Sequence, residues 1–281
     1  KLSEQRTPCF ETYQLFRTSD MSLTWTFGGT ALTSFGKITV IDGYLDMPQR
    51  RGSNQIIPFQ HGTMHAGKYY DQRVLAFGIT ITAASASALE TTFDNLRKLI
   101  APRTQQTLSL TREDSSVLTS QAIVDAPLQV NRITNTLARV VVEFVMPRPY
   151  FRLSTAIADN TTTINTSPKA MTVTNPGTIE ERDATITLTG PLQNTVITNS
   201  TVGVSLTYTG TIAGGEAVVI STNSYGEYTA VKTGSVNVIG NVTHSGAAAF
   251  MVFNPGDNTL SITDATATTG TVKASFFAPY L

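Results

Sequence analysis

One short segment of this 281-residue chain, IIPFQHGTMHAGKYYDQR (residues 56–73), contains two of its three histidines beside an aspartate and two tyrosines. His61 and His65 are four residues apart, a spacing that on a helix brings two imidazoles to one face as metal ligands. A proline and two glycines inside the segment make a helix improbable. No third ligand stands at a recognisable spacing. The segment therefore predicts neither a metal site nor a cofactor.

The same segment runs into a strand through Tyr69, Tyr70, Asp71 and Arg73. An acid–base site would need further side chains converging from other parts of the chain, and the sequence identifies none. A packed, hydrogen-bonded loop is the simpler interpretation. We therefore expect the segment, with both of its histidines, to lie at a contact between copies of the chain.

Signatures of other catalytic chemistry are absent from the sequence. It contains no nucleophile elbow, no phosphate-binding loop, no dinucleotide-binding glycine pattern and no zinc-protease helix motif. Glu180, Glu181 and Asp183 form an acidic cluster before a predicted strand. Adjacent residues of a strand point to opposite faces, so this cluster does not make a glycosidase pair, and we expect it to be solvated. The sequence predicts that the protein is not an enzyme.

Weak carbohydrate binding by the second half of the chain is an alternative. A sugar site usually offers an aromatic platform, but the only tryptophan, Trp25, lies in the first half. Tyr208, Tyr225 and Tyr228 are the remaining candidates for sugar contacts. Packing of these tyrosines in strands and loops is the simpler interpretation.

Length and composition limit the class of protein. A chain of 281 residues with 41% hydrophobic residues can build the cores of two domains. The formal net charge of zero gives no global attraction to nucleic acid or to membranes. Cys9 is the only cysteine, which excludes an internal disulfide and a thiolate metal cluster. No apolar run approaches the roughly 20 residues that span a bilayer, so we expect no membrane insertion.

The first half of the chain, residues 21–152, is predicted to be a mostly β domain with one helix. We expect residues 1–20 to form an extended arm before it. The strands are predicted from short segments that are rich in β-branched residues and bounded by turn residues: 74–82, 107–114, 121–126 and 138–146.

The helix is predicted over residues 87–101, where it would cover one face of the sheet. Ser87 and Glu90 form a capping-box pair at its start, and Pro102 marks its end. Apolar residues recur at steps of four, three and four, which places them on one face of the helix: Leu89, Phe93, Leu96 and Ile100.

The composition shifts after residue 152. Residues 153–169 are polar and poor in apolar side chains, which predicts a linker. Residues 170–281 are rich in threonine and contain many short alternating segments separated by turn residues, for example ATITLTG and GVSLTYTGT. This pattern predicts an all-β sandwich.

The order and spacing of these segments resemble the distal tail protein family of bacteriophages with long non-contractile tails. In the first half the resemblance rests on the run from FGGTALTSFGK through the histidine segment to VLAFGITIT. It continues through the helix ALETTFDNLRKLI and the closing VVVEFVMPRPYF. In the second half it rests on NPGTIEERDATITLTG, GGEAVVIST, FNPGDNTLSIT and the terminal FFAPYL.

The resemblance implies a structural role at the tail tip, in the virion after assembly in the host cytoplasm. Residues 21–152 would form a hexameric ring and residues 170–281 a galectin-like sandwich projecting from it. The ring would join the tail-tube protein to tip or baseplate hub proteins and receptor-binding proteins, with DNA only passing through its channel. The alternative function is a carbohydrate-binding module or an accessory domain of a cell-wall-active protein.

Overall fold

The structure is a computed structural model that describes residues 23–52, 55–56, 63–64, 69–157, 160–222, 227–245, 251–266 and 269–281. The chain divides into two compact units, with the boundary between Pro149 and Tyr150. The arm predicted over residues 1–20 lies outside the described residues. Strands dominate both units, and the described residues contain one α-helix, which confirms the predicted mostly β fold.

Eight of the twelve described strands of the first unit form two antiparallel sheets. Strands β2, β1, β9 and β10 pair in this order, and β11, β12, β8 and β3 pair in this order in a second sheet, which we call sheet II. The bounds of these and the remaining strands of the unit are β1 (Thr24–Phe27), β2 (Thr30–Ala31), β3 (Lys37–Asp42), β4 (Arg50–Arg51), β5 (Gln55–Ile56), β6 (Thr63–Met64), β7 (Tyr69–Tyr70), β8 (Arg73–Thr82), β9 (Gln106–Thr111), β10 (Val117–Ala122), β11 (Gln129–Arg132) and β12 (Leu137–Met146).

Aromatic side chains join the two sheets of the first unit. Trp25 of β1 meets Phe77 of β8 with ring centroids 4.9 Å apart, and Phe27 meets Phe144 of β12 at 4.7 Å. Alternate residues of β8 and β12 are buried, as expected for strands with one face on a core. The strand predicted over residues 121–126 is displaced, because β10 ends at Ala122 and Ile123 makes only an isolated bridge to Val145.

The helix, α1 (Ala86–Ile100), buries the predicted residues Leu89, Phe93 and Leu96. Its cap differs from the prediction. Ser85 has the extended backbone that a cap requires, and its side chain accepts a hydrogen bond from Ala88 N at 3.1 Å. Ser87 therefore lies inside the first turn, and the predicted capping box is wrong.

The strands of the second unit form two larger antiparallel sheets, ordered β14-β26-β16-β21-β22-β23 and β15-β25-β18-β19-β24. The pairs β13–β27 and β17–β20 complete the described pairings of this unit. The bounds are β13 (Phe151–Leu153), β14 (Asn160–Thr163), β15 (Lys169–Asn175), β16 (Thr185–Thr189), β17 (Leu192–Gln193), β18 (Val196–Asn199), β19 (Val204–Tyr208), β20 (Thr211–Ile212), β21 (Ala217–Thr222), β22 (Tyr228–Lys232), β23 (Val236–Asn237), β24 (Val242–Ser245), β25 (Gly256–Thr263), β26 (Thr271–Ser275) and β27 (Pro279–Tyr280).

One hydrophobic core fills the space between these two sheets, so the second unit is a β-sandwich. Both sheets contribute fully buried residues to the core, among them Ile186, Leu188, Val218, Val173, Leu206 and Leu260. Part of the segment predicted as a linker belongs to this sandwich: β14 pairs with β26, and Ile164 is fully buried. The polar composition of that segment reflects a strand with a solvated face.

Asp264, directly after β25, connects that strand to β17 and to the residues that follow β17. One carboxylate oxygen accepts hydrogen bonds from Gln193 N and Thr195 Oγ1, both at 2.8 Å, and the other accepts from Thr266 N at 2.9 Å. Burial by itself raises the pKa of Asp264. The hydrogen bonds from Thr266, Thr195 and Gln193 outweigh burial and leave the pKa below its ordinary value.

Replacing Asp264 with asparagine is expected to cost about 1–3 kcal/mol of stability at pH 7, because buried donors lose their acceptor. A lowered folded-state pKa contributes stability above the unfolded pKa of about 3.9, and that contribution disappears as the pH falls through the folded value. Urea unfolding at pH 7 and pH 3 should therefore show a smaller difference between variant and parent at pH 3. The exposed Asp257 is the matched control, and its asparagine variant should differ from the parent by at most about 0.5 kcal/mol at either pH.

Among the residues that the structure describes, no helix combines the length and the apolar character needed to cross a membrane.

Candidate interaction surface

Arg73, the first residue of β8, is buried and donates most of its hydrogen bonds to backbone carbonyls of the loop that follows β3, while its Nη1 donates to Pro149 O at 3.5 Å. Its Nε donates to Gly43 O at 3.0 Å, and its Nη2 donates to Tyr44 O at 2.9 Å and to Asp46 O. Burial lowers the pKa of the Arg73 guanidinium, while the nearby Tyr44 and Asp46 act in the opposite direction. The side chain thus shapes a loop, and it is not an exposed cation offered to a ligand.

The loop itself, residues 43–48, is fixed at both ends. Gly43 has φ +79°, and a Cβ there would lie 2.3 Å from Val74 O, so this position requires glycine. The ring of Tyr44 meets Trp25 edge-on at 5.3 Å, and Pro48 is buried at the other end. These contacts anchor the loop at both of its ends.

Two large apolar side chains project from this loop. Leu45 is 83% exposed and Met47 is 62% exposed, and Val74, where β8 begins, is 42% exposed. Met47 and Val74 line a cleft of about 410 Å³. We call these three residues the loop patch. Exposed apolar side chains that cluster on one anchored loop are typical of a surface that contacts a protein partner.

The residues predicted from the sequence are located around this loop. Asp71 and Arg73 line the same cleft as Met47. Tyr69 is 69% exposed, whereas the ring of Tyr70 lies under the guanidinium of Arg50, 5.3 Å from its carbon.

Hydrogen bonds tie these residues to their neighbours. The backbone N–H of Asp71 donates to Gln49 O at 2.7 Å, and the Asp71 carboxylate accepts a hydrogen bond from Gln72 N at 2.9 Å. Strand β4 pairs with β7 and β5 pairs with β6 in short antiparallel pairings, and we call these four strands the hairpin. His61 and His65 lie outside the described residues.

Leu45 and Met47 were not among the residues predicted from the sequence. The only available signal is their position in GYLDMP, a turn that begins at a glycine and ends at a proline yet contains two large apolar residues. Side-chain exposure in such a turn depends on the contacts of Arg73, which lies 26 or more residues further along the chain.

In the second unit, the expectation that the acidic cluster is solvated is wrong for Glu181. Its side chain is 1% exposed, because Glu181 forms a backbone bridge with Phe253 that turns it inward. Arg152 Nη2 lies 3.2 Å from the Glu181 carboxylate and 2.7 Å from that of Asp183. Only Glu180 fits the expectation, since it pairs with Arg182 at the surface. We call Arg152, Glu181 and Asp183 the buried charge cluster.

The tyrosines considered for sugar contacts do not form a platform in the described part of the second unit. Tyr208 is 3% exposed and belongs to the hydrophobic core, so its ring cannot stack on a sugar. Tyr228 is half-buried opposite Thr222, and Tyr225 lies outside the described residues. Within the described ranges, no three histidine, cysteine or acidic side chains are placed to hold a metal ion.

Part of the first unit is similar to a known family of protein domains. Residues 34–146, which include both the loop patch and sheet II, match the family of the phage tail protein RIFT-related domain. The matched residues make up most of the first unit, which is therefore similar to that phage tail protein domain. No curated protein matches the chain by sequence.

The structural comparison extends over nearly the whole chain. The Dit protein (gp 19.1) of phage SPP1, described as a hub adsorption apparatus of phages infecting Gram-positive bacteria, is similar with a TM-score of 0.69 at 13% sequence identity. The similarity covers 92% of this chain and 99% of that chain. A chain of the phage P2 baseplate in its activated conformation with calcium gives a TM-score of 0.44 at 9% identity, over 91% of this chain and 98% of that one. The predicted resemblance to the distal tail protein family is confirmed.

Proposed function

We propose that this protein forms a hexameric ring at the tip of a long non-contractile phage tail. The ring would join the tail-tube protein to baseplate hub and receptor-binding proteins, let DNA pass through its channel, and catalyse no reaction. The observation that carries this proposal is the fold shared with the SPP1 hub protein over 92% of this chain, together with the tail domain in the first unit.

The charges of sheet II support a channel role for the first unit. On its face away from the core, Lys37 and Arg139 flank Thr80 in one cross-strand row. In another row, four residues away along β8, Asp42 and Glu143 flank Ala76. Two positive and two negative side chains balance each other. A surface over which DNA slides should lack a positive excess, because binding to phosphates would retain the DNA.

The hairpin residues fit a contact between copies. We propose that Tyr69, Tyr70, Asp71 and Arg73, with His61 and His65, belong to the ring interface. Tyr70, Asp71 and Arg73 are held by neighbouring residues of the same copy. Their side chains are therefore positioned in advance, as expected of residues at a contact surface. The second unit, as a galectin-like sandwich, would project outward toward the receptor-binding proteins.

Native mass spectrometry of the full chain tests the ring. We expect a discrete particle of six copies of the 30.2 kDa chain. Residues 150–281 expressed alone should be monomeric, because the ring contacts are assigned to the first unit. A hexamer formed by that fragment would contradict the assignment of the ring to the first unit, and a monomeric full chain would contradict the ring itself.

A further inference from the structure

The cleft beside the loop patch lies where the pairing of two chain segments is interrupted. Strand β3 pairs with β8 as far as Asp42, and antiparallel pairing resumes between β4 and β7 at Arg50. Between these two positions one segment contains residues 43–49 and the other only residues 71–75. The longer segment must therefore bulge outward, and bulges in antiparallel pairs often re-aim side chains next to functional sites.

Arg73 fills this interruption without offering its charge to a ligand. Its side chain is buried, and each nitrogen of its guanidinium donates to main-chain carbonyls, namely those of Gly43, Tyr44, Asp46 and Pro149. These donors are used within the protein. Hydrogen bonds to a ligand in the cleft must therefore come from other side chains.

The other polar side chains of the cleft are open to a ligand. Asp46 and Asp71 line it with exposed carboxylates, and Gln49 and Gln72 line it with exposed amides. The Asp71 carboxylate accepts one hydrogen bond, from Gln72 N, and in the described part of the chain the Asp46 carboxylate accepts none. Among the described residues that line the cleft, Arg73 is the only cation. It offsets one of the two carboxylates, so a net negative charge remains.

The apolar border of the cleft narrows the class of cation that it fits. Met47 and Val74 of the loop patch border the same space as the two carboxylates. Arginine and lysine can place their aliphatic stems on apolar groups while their charged ends donate to carboxylates. The volume of about 410 Å³ lies within the range of roughly 300–1,000 Å³ that is common for ligand-binding sites.

We propose that this cleft receives a basic side chain, arginine or lysine, from a segment of a partner protein in which apolar residues flank it. The inference goes beyond the proposed ring, because the partner is a protein other than a second copy of this chain. Of the residues that line the cleft, only Asp71 and Arg73 belong to the proposed contact between copies. The net negative charge favours a basic partner segment and disfavours an acidic one.

Peptide binding to the full chain, measured by ligand-detected NMR, tests this inference. The probe is acetyl-Leu-Arg-Leu-amide, and the same peptide with citrulline in place of arginine is its neutral control. We expect the arginine peptide to bind about tenfold more tightly, because a charged hydrogen bond to a carboxylate replaces a neutral one. Salt at about 1 M should weaken the binding of the arginine peptide and leave that of the citrulline peptide nearly unchanged.

Two isosteric substitutions locate the binding. Asp46→Asn removes a carboxylate but keeps the main-chain carbonyl to which Arg73 donates, so the loop should retain its contacts. Asp46→Asn and Asp71→Asn should each weaken the binding of the arginine peptide about tenfold and leave that of the citrulline peptide unchanged. Asp125→Asn removes an exposed carboxylate of the same unit outside the cleft, and this matched control should bind like the parent.

The outcomes separate this inference from the proposed function. Equal binding of the two peptides, or parent-like binding by both cleft variants, would overturn the inference and leave the ring untouched. A hexamer that no longer binds the arginine peptide would show that a neighbouring copy fills the cleft, which also overturns it. A chain that is monomeric in native mass spectrometry but binds the arginine peptide through Asp46 would contradict the ring and support the inference.

Discussion

Replacing Arg152 with methionine is expected to destabilise the second unit by about 3–5 kcal/mol at pH 7, because it leaves two carboxylates without their common counter-charge in a buried site. Methionine keeps most of the aliphatic volume of arginine, so the loss reports the charge and not a cavity. Chemical denaturation, followed by a probe in the second unit, measures the effect.

The neighbouring Arg182 provides a matched control. It pairs with Glu180 at 2.7 Å, but both side chains are 46% exposed. Exposed pairs contribute at most about 1 kcal/mol, so Arg182→Met should be close to neutral. Equal losses at both positions would contradict the assignment of Arg152 as the partner of a buried carboxylate.

The pH dependence of the Arg152 variant has a defined sign. Burial raises the pKa of Glu181 above its ordinary value, and the charge of Arg152 only partly offsets this effect. A carboxyl whose pKa is raised on folding supports the fold in acid, and that support is lost as the pH rises through the folded pKa. Without Arg152 the pKa of Glu181 rises further, so the variant should lose stability more steeply between mildly acid and neutral pH. The difference from the parent should be smaller at pH 5 than at pH 7.

Replacing Phe93 with alanine is the second large effect that we expect, a loss of about 3–5 kcal/mol in the first unit. Phe93 is 3% exposed at the centre of the buried stripe of α1, between Leu89 and Leu96. Truncating its ring removes buried apolar surface and leaves a cavity beneath the helix. Thermal or urea unfolding of the full chain, monitored in the first unit, gives the measurement.

Asn95 is the control for that substitution. It is exposed on the same helix, two residues further along, so Asn95→Ala should change stability by at most about 0.5 kcal/mol. Alanine is also a better helix former than asparagine, which favours a small gain. Comparable losses at the two positions would show that a different face of α1 is buried.

The sequence predicted those elements in which the periodic spacing of apolar residues matches the face that is buried in the structure. The helix and strands β8 and β12 each have one face on a core, so their apolar residues recur with the period of the element. The cap of α1 was misplaced by two residues because Ser85 and Ser87 are both good cap residues and only backbone conformation distinguishes them. The segment 153–169 looked like a linker because β14 has four polar residues.

The candidate surface could be predicted only in part. Tyr69, Tyr70, Asp71 and Arg73 stood out as polar residues in a turn, but the buried position of Arg73 depends on carbonyls 27 or more residues away. Contacts between residues so far apart in the chain produce no periodic pattern in the sequence. The same reason explains the buried charge cluster, since Arg152 and Glu181 are 29 residues apart in the chain.

The hydrogen bonds of Arg73 determine which substitutions this surface can tolerate during evolution. Its Nε and Nη2 donate to main-chain carbonyls, which every amino acid provides. Substitutions of Leu45 or Met47 therefore leave the scaffold of the loop intact while altering what it presents to a neighbour. Substitutions at these two positions can therefore change which partner the loop binds with little effect on folding, provided that Gly43 and Arg73 are retained.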